Sequence, residues 1–227
     1  MEINRDKELQ KTAAVFSLQL FITSVAIFIS LCLLIVLIRQ IFYYKEETID
    51  HRVFELLAPY RTGRNTIIME GATLLGSHKF LIPAWLLLFA RSFFFDKNKW
   101  IFIKALVIAV GSLCIMFGLK YFFKRPRPLI PLLHQVQGLS FPSGHAFMGL
   151  VFFGFLICLI NHEVANKKLK WVLIILLVVL ILIIGLSRVY LGVHYASDVI
   201  AGYCFGVLTF LLLQWLLARI EKYSKLR

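Results

Sequence analysis

Three short segments of this chain carry side chains that could handle a phosphate. The first, KYFFKRPRP, runs from Lys120 to Pro128 and holds the cations Lys120, Lys124, Arg125 and Arg127. Cations at a membrane edge often only carry their charge out to the surface. Here the prolines interrupt helix and hold an irregular chain, which fixes Arg127 better than a plain polar loop would. The second segment is Phe141–Pro142–Ser143–Gly144–His145, directly before an apolar run. Ser143 can cap a helix, Gly144 lets backbone approach a ligand closely, and the free N–H groups of a helix start bind phosphate well. His145 falls in that first turn. The third, SRVYLGVHYASD, runs from Ser187 to Asp198. His194 and Asp198 are four apart and share one face if the stretch is helical. Asp198 can accept the proton of one imidazole nitrogen and present the other as a nucleophile. Arg188 adds a planar donor suited to a phosphate oxygen. The competing reading of this last group is a buried His–Asp–Arg network that only ties helices together.

Phosphoryl transfer needs stabilisation of the equatorial oxygens and an in-line nucleophile. Prearranged cations can supply the first without a metal. No His-Glu-x-x-His spacing occurs, and the connections that carry these residues have no paired acidic ligands for magnesium. The expectation is therefore no metal and no cofactor. The four cysteines, Cys32, Cys114, Cys158 and Cys204, lie in separate apolar stretches and read as small buried residues, not a disulfide or metal set.

The elements that must hold these groups are apolar to an unusual degree. Of 227 residues 60% are hydrophobic and only 16% charged, and mean hydropathy is +0.82. Soluble domains carry more charge. Six apolar segments stand out, at Ala13–Ile38, Gly71–Ala90, Ile101–Leu119, Ala146–Ile160, Trp171–Leu186 and Val199–Ala218. The fourth and fifth are short and extend into polar flanks if they span. A segment that crosses hydrocarbon outside a closed barrel must be helical, and these runs are too continuously apolar for barrel strands. The first run is longer than a signal-peptide core and reads as an uncleaved anchor, with a processed signal peptide as the alternative. The predicted fold is all-α: a six-transmembrane helix bundle forming one integral membrane domain over residues 1–227.

Charge sets the expected orientation. Basic groups cluster at Arg5, Lys7 and Lys11; at Arg91, Lys97 and Lys99; at Lys167, Lys168 and Lys170; and at Arg219, Lys222, Lys225 and Arg227. With six spans all four clusters fall on one side, which the positive-inside rule makes cytoplasmic, together with both termini. The three phosphate-handling segments then sit at the opposite, outer rim. Two of their connections are basic as well, against a pure charge count, and chemical work by those residues resolves the conflict. The net charge of +13 has no basic helix or aromatic-basic pattern behind it, so no nucleic-acid partner is expected. The partner is the phospholipid bilayer. The first outer connection, YYKEETIDHRVFELLAPYR, fits either a helix lying in the interface or an ordinary loop packed on the bundle.

Taken together, these residues resemble the type 2 phosphatidic acid phosphatases, or lipid phosphate phosphatases. That family has a three-part signature. Lys-x6-Arg-Pro is matched by Lys120 through Arg127–Pro128. Pro-Ser-Gly-His is matched by Pro142, Ser143, Gly144 and His145. Ser-Arg-x5-His-x3-Asp is matched by Ser187, Arg188, His194 and Asp198. The parts are complete and in order. The resemblance implies that His194 attacks phosphorus, Asp198 orients it, and His145 protonates the leaving oxygen and assists hydrolysis of the phosphohistidine. Lys120, Arg127 and Arg188 would hold the phosphate oxygens, with Ser143 and the Gly144 N–H completing the cradle. It also implies magnesium-independent hydrolysis of a membrane lipid phosphate, with phosphatidylglycerophosphate, undecaprenyl pyrophosphate and phosphatidic acid as candidate substrates. A non-catalytic lipid-binding protein or a small lipid transporter is the alternative. Transporters carry ionisable groups near the midplane of their spans, whereas here they gather at one rim.

Overall fold

The computed structural model describes residues 2–96, 98–128 and 137–225, with side chains from Ser17 onward. The side chains of Arg5, Lys7 and Lys11, together with Lys97 and Arg227, lie outside the described residues. All regular structure described is helical. The helices are α1 (Glu2–Ile38), α2 (Thr48–Leu57), α3 (Gly63–Leu75), α4 (His78–Phe94), α5 (Lys99–Phe123), α6 (Gly144–Glu163), α7 (Lys167–Tyr190) and α8 (Ala196–Ser224).

Local sequence sets several of these boundaries. Thr62 Oγ1 accepts the Asn65 N–H at 3.3 Å, Asn98 Oδ1 the Trp100 N–H at 3.1 Å and Asn166 Oδ1 the Leu169 N–H at 3.1 Å, so α3, α5 and α7 each start on a side-chain cap. Lys124 ends α5 in the left-handed region at φ 49°, and Pro126 and Pro128 keep the helix from restarting. The apolar runs at 146–160 and 171–186 grow into their polar flanks as α6 and α7. The run at 71–90 is not one uninterrupted helix. It breaks at Gly76–Ser77, where the missing side chain leaves room for neighbours: a Cβ at Gly76 would run into Ile184 Cγ2 of α7 and come within 3.4 Å of the His145 ring. The glycine lets α3 and α4 bend past both.

Among the described residues six helical stretches are long and apolar enough to cross a bilayer: Ser17–Tyr43, Gly63–Phe94, Lys99–Phe123, Gly144–Glu163, Lys167–Tyr190 and Ala196–Ser224. Their outward faces are greasy, with Phe28, Leu87, Phe117 and Leu182 all exposed. A membrane solvates such a surface, whereas water would penalise each buried-size side chain left out by about 1.5–3 kcal/mol. The protein is thus a multi-pass membrane protein.

Helix α6 lies at the centre, packed on α7 and α8; α1 lines α8, α3 lines α7, and α4 pairs with α5. The core around Phe147, Val151, Phe152, Phe155, Trp85 and Ile108 fills the space between α4, α5 and α6. Gly202 allows α8 to approach α6 closely, since a Cβ there would meet the Ser143 carbonyl oxygen at 2.8 Å. At one end of the bundle Arg91 pairs with Glu163 at 2.8 Å and Lys104 with Glu221 at 2.5 Å. The other end gathers the end of α5 and the starts of α6 and α8, and it holds the polar chemistry.

Candidate active site

The segment 187–198 does not continue as helix through His194. Helix α7 ends at Tyr190, the chain turns through Gly192 at φ 67°, and α8 begins at Ala196. His194 sits in the turn and Asp198 in the first turn of α8. The two meet because Asp198 reaches back over the helix start: its Oδ2 accepts the Tyr195 N–H at 3.0 Å and lies 3.5 Å from His194 Nδ1. Both are sealed from solvent, at 1% and 0% exposure.

A serine completes the pair. Ser140 Oγ donates to Asp198 Oδ2 and lies 3.2 Å from His194 Nδ1. On the other side of the ring, Arg127 Nη1 is 3.2 Å from His194 Nε2. A guanidinium can only donate, so Nε2 is the acceptor and the ring proton belongs on Nδ1, toward Ser140 and Asp198. Burial pushes the His194 pKa down to about 3, overcoming the opposite pull of Asp198. The imidazole is neutral at physiological pH, and its unprotonated nitrogen faces the arginine.

Arg127 borders this nitrogen, and Arg188 and Lys120 stand near Arg127. Arg127 is tethered by carbonyls, its Nη1 donating to Val193 O at 2.8 Å and its Nε to Gly138 O at 3.1 Å. Arg188, near the end of α7, donates from Nη1 to Thr73 Oγ1 at 2.6 Å, and its buried Nε has no protein partner. Lys120, in the last turn of α5, donates to Leu139 O at 2.7 Å, and its Cε would contact a Cβ at Gly144. None of the three makes a carboxylate salt bridge among the described residues, and they lie close enough to repel one another.

The α6 start closes the group. Ser143 is the N-cap residue by position, but its side chain makes no cap bond, and the fully buried Oγ is left without a partner. A buried unmatched hydroxyl costs about 1–3 kcal/mol unless something else satisfies it. The Ser143 N–H donates to Asp198 O at 2.9 Å, locking the α6 start to that of α8. His145 follows, near His194, Arg127 and Arg188. Beside Gly144 and His145 opens an apolar cleft of about 420 Å³ between α4, α5 and α6, lined by Trp85, Phe89, Leu113, Met116, Phe117 and Met148. Among the described residues no three His, Cys, Asp or Glu side chains converge as a metal-binding group.

All eight residues singled out from sequence, Lys120, Arg127, Ser143, Gly144, His145, Arg188, His194 and Asp198, therefore lie in one end of the bundle. Sequence reasoning missed two buried partners of Asp198, Ser140 and Arg125, and Asp50 of α2, which binds Arg125 from the other side. The arginine of the His–Asp network is Arg125, whose Nη1 donates to Asp198 Oδ1 at 2.7 Å, and not Arg188. Asp50 had a legible signal, because it shares a helical face with the apolar Val53, Phe54 and Leu57. Ser140 had none beyond its place next to Phe141–Pro142.

Residues 100–221, more than half of the chain, match the PAP2 superfamily. Phosphatidylglycerophosphatase B of Bacillus subtilis (strain 168) is 32% identical over 160 residues, covering 70% of this chain and 78% of its own. A candidate undecaprenyl-diphosphatase of Escherichia coli (strain K12), YbjG, is 31% identical over 112 residues, covering 47% of this chain and 52% of its own. The crystal structure of a transmembrane PAP2 type phosphatidylglycerolphosphate phosphatase from Bacillus subtilis superimposes with a TM-score of 0.73 at 28% identity, over 84% of this chain and 96% of that one. With its α-helical membrane fold and its matched sequence, this chain belongs to the PAP2 superfamily of phosphatases.

Proposed function

We propose that this protein hydrolyses the phosphate of a membrane lipid without a metal ion, through a phosphohistidine on His194, at the outer rim of the membrane. The observation that carries the reading is the neutral His194 nitrogen facing Arg127, with Arg188 and Lys120 nearby and none of the three paired to a carboxylate. A trigonal phosphoryl group needs this surplus of positive charge on its equatorial oxygens. In the first step the Nε2–P bond forms as the P–O bond to the lipid breaks, and His145 gives its proton to the leaving oxygen. In the second, water attacks phosphorus, His145 takes the water proton, and the N–P bond breaks to release phosphate. Asp198 and Ser140 hold the Nδ1 proton throughout. Ser143 Oγ and the Gly144 N–H add donors to the cradle.

The apolar cleft beside His145 supports a lipid, since it would let tails stay in hydrocarbon while the phosphate reaches the cations. The four basic clusters at the far end of the six spans support an outward-facing site and cytoplasmic termini. Phosphatidylglycerophosphate and undecaprenyl pyrophosphate are the leading substrates, with phosphatidic acid third; the names of the Bacillus and Escherichia relatives point the same way. The test is phosphate release by purified protein in EDTA across these lipids, beside His194→Ala. Release that the variant loses, by roughly 10²–10⁴-fold or more, supports the reading. Near-normal release by folded His194→Ala would sink the nucleophile assignment, and activity restored only by added metal would sink metal independence.

A further inference from the structure

Helix α2 packs Val53, Phe54 and Leu57 against a cluster of Ala146, Val189 and Val199 on α6, α7 and α8. Asp50 shares that apolar face and is only 2% exposed. Both of its oxygens are engaged. Oδ1 accepts the Ser197 N–H at 2.9 Å; Oδ2 accepts Ser197 Oγ at 2.6 Å and Arg125 Nη2 at 3.0 Å. Arg125, 4% exposed, carries the link onward. Its Nη1 donates to Asp198 Oδ1 at 2.7 Å and to Ser197 Oγ at 2.8 Å, its Nη2 also reaches Glu47 Oε1 at 3.0 Å, and its guanidinium carbon lies 3.9 Å from the centre of the Tyr195 ring. A chain of charge-assisted bonds thus runs from α2 to the carboxylate beside His194.

Docking a helix does not require this. Desolvating an ion pair often costs as much as the pairing returns, and apolar residues of the same size serve stability as well or better. What the network supplies is a fixed orientation: with Oδ1 held by Arg125, Oδ2 is left to the His194 side. We propose that Asp50 and Arg125 are positioning residues for the reaction, so that seating of α2 sets Asp198 and, through it, the His194 ring. The proposal rests on His194 being the nucleophile.

The test uses full-length protein in detergent, with a lipid phosphate that the wild type hydrolyses, and compares Asp50→Asn, Arg125→Lys, Glu55→Gln and His194→Ala. Glu55 is an exposed acid on the same helix, so Glu55→Gln matches the charge change of Asp50→Asn. Assayed well below each variant's melting temperature and per folded molecule, Asp50→Asn and Arg125→Lys lower kcat by roughly 10- to 100-fold, the scale of a small misplacement of a catalytic group. KM stays within about threefold, because the phosphate-binding cations are untouched. Glu55→Gln behaves as wild type. If Arg125→Lys does not fold, the near-isosteric Asp50→Asn carries the test. Wild-type kcat in Asp50→Asn beside an inert His194→Ala, with only the melting temperature lowered, overturns the proposal alone and leaves α2 a structural anchor. Sustained turnover by His194→Ala overturns the nucleophile assignment and the proposal with it.

Discussion

Arg125 and Arg188 are both buried arginines within reach of the same site, and they are held in opposite ways. Arg125 is surrounded by Asp198, Asp50 and Glu47. Burial works against its charge, but these carboxylates more than compensate and its pKa lies above the ordinary arginine value. Arg188 has a threonine hydroxyl and an unpartnered Nε. Arg127 and Lys120 resemble it in having uncharged partners, in their case carbonyl oxygens. The charge of Arg125 is matched by the protein's own carboxylates, although its Nε, like that of Arg188, has no partner. The other three cations keep their charge unspent, at an electrostatic cost that makes sense if an anion is to arrive. The same local chemistry, a guanidinium out of water, is thus matched by carboxylates on one side of Asp198 and left unmatched on the other, where the proposed phosphate site lies.

That contrast can be broken or sharpened by experiment. The largest effect on stability belongs to Arg125→Ala, which strands buried carboxylates and costs about 3–5 kcal/mol, read as an unfolding midpoint in detergent. Arg188→Ala acts the other way. Its kcat/KM falls by roughly 10²–10³, as on losing a preorganised donor to developing charge, while its melting temperature holds or rises. Inorganic phosphate should stabilise the wild type, by about 2.7 kcal/mol at a hundred times its Kd, and should do so much less for Arg188→Ala. If both arginine variants lose stability alike, the distinction fails.

Acid adds a test that concerns His194. Its folded pKa is pushed down to about 3 by burial, against an ordinary 6.5. Between those values the unfolded chain binds a proton that the native site refuses. Stability therefore falls as pH drops from about 6.5 toward 3, and His194 contributes nothing to the slope above that window. The unfolding midpoint of the wild type should decline more steeply from pH 7 to pH 4 than that of His194→Gln; parallel curves would contradict the burial of a neutral ring. The smallest effect is at the apolar cleft. Leu113→Trp fills part of it and should raise KM by about tenfold or less for a long-chain lipid phosphate, leaving a short-chain soluble analogue unaffected. Equal changes for both would detach the cleft from lipid binding.

Much of this arrangement was legible in the sequence because it rests on local signals. Continuous apolar runs give the spanning helices, the prolines at 126 and 128 give the end of α5, and the Pro-Ser-Gly-His run gives the start of α6. What was not legible depends on packing between distant segments. The need for a glycine at the Gly76 break comes from His145 and Ile184, which approach it from two other helices. The meeting of His194 with Asp198 comes from a turn and a helix start, not from the helical spacing that first suggested it. Arg125 and Asp50 are 75 residues apart, and nothing in either segment announces the other. Residues 43–61 include α2, a helix that packs on the bundle through an apolar face carrying Asp50.

On the proposed mechanism His194 takes the phosphoryl group while the unpaired cations hold it. The direct measurement is rapid acid-free quench of the protein turning over a lipid labelled in the scissile phosphate, followed by peptide mapping. The expected result is a base-stable, acid-labile label on the peptide containing His194, formed at least as fast as kcat in the presence of EDTA and absent from His194→Ala. Full turnover with no label on that peptide under the same conditions would contradict it.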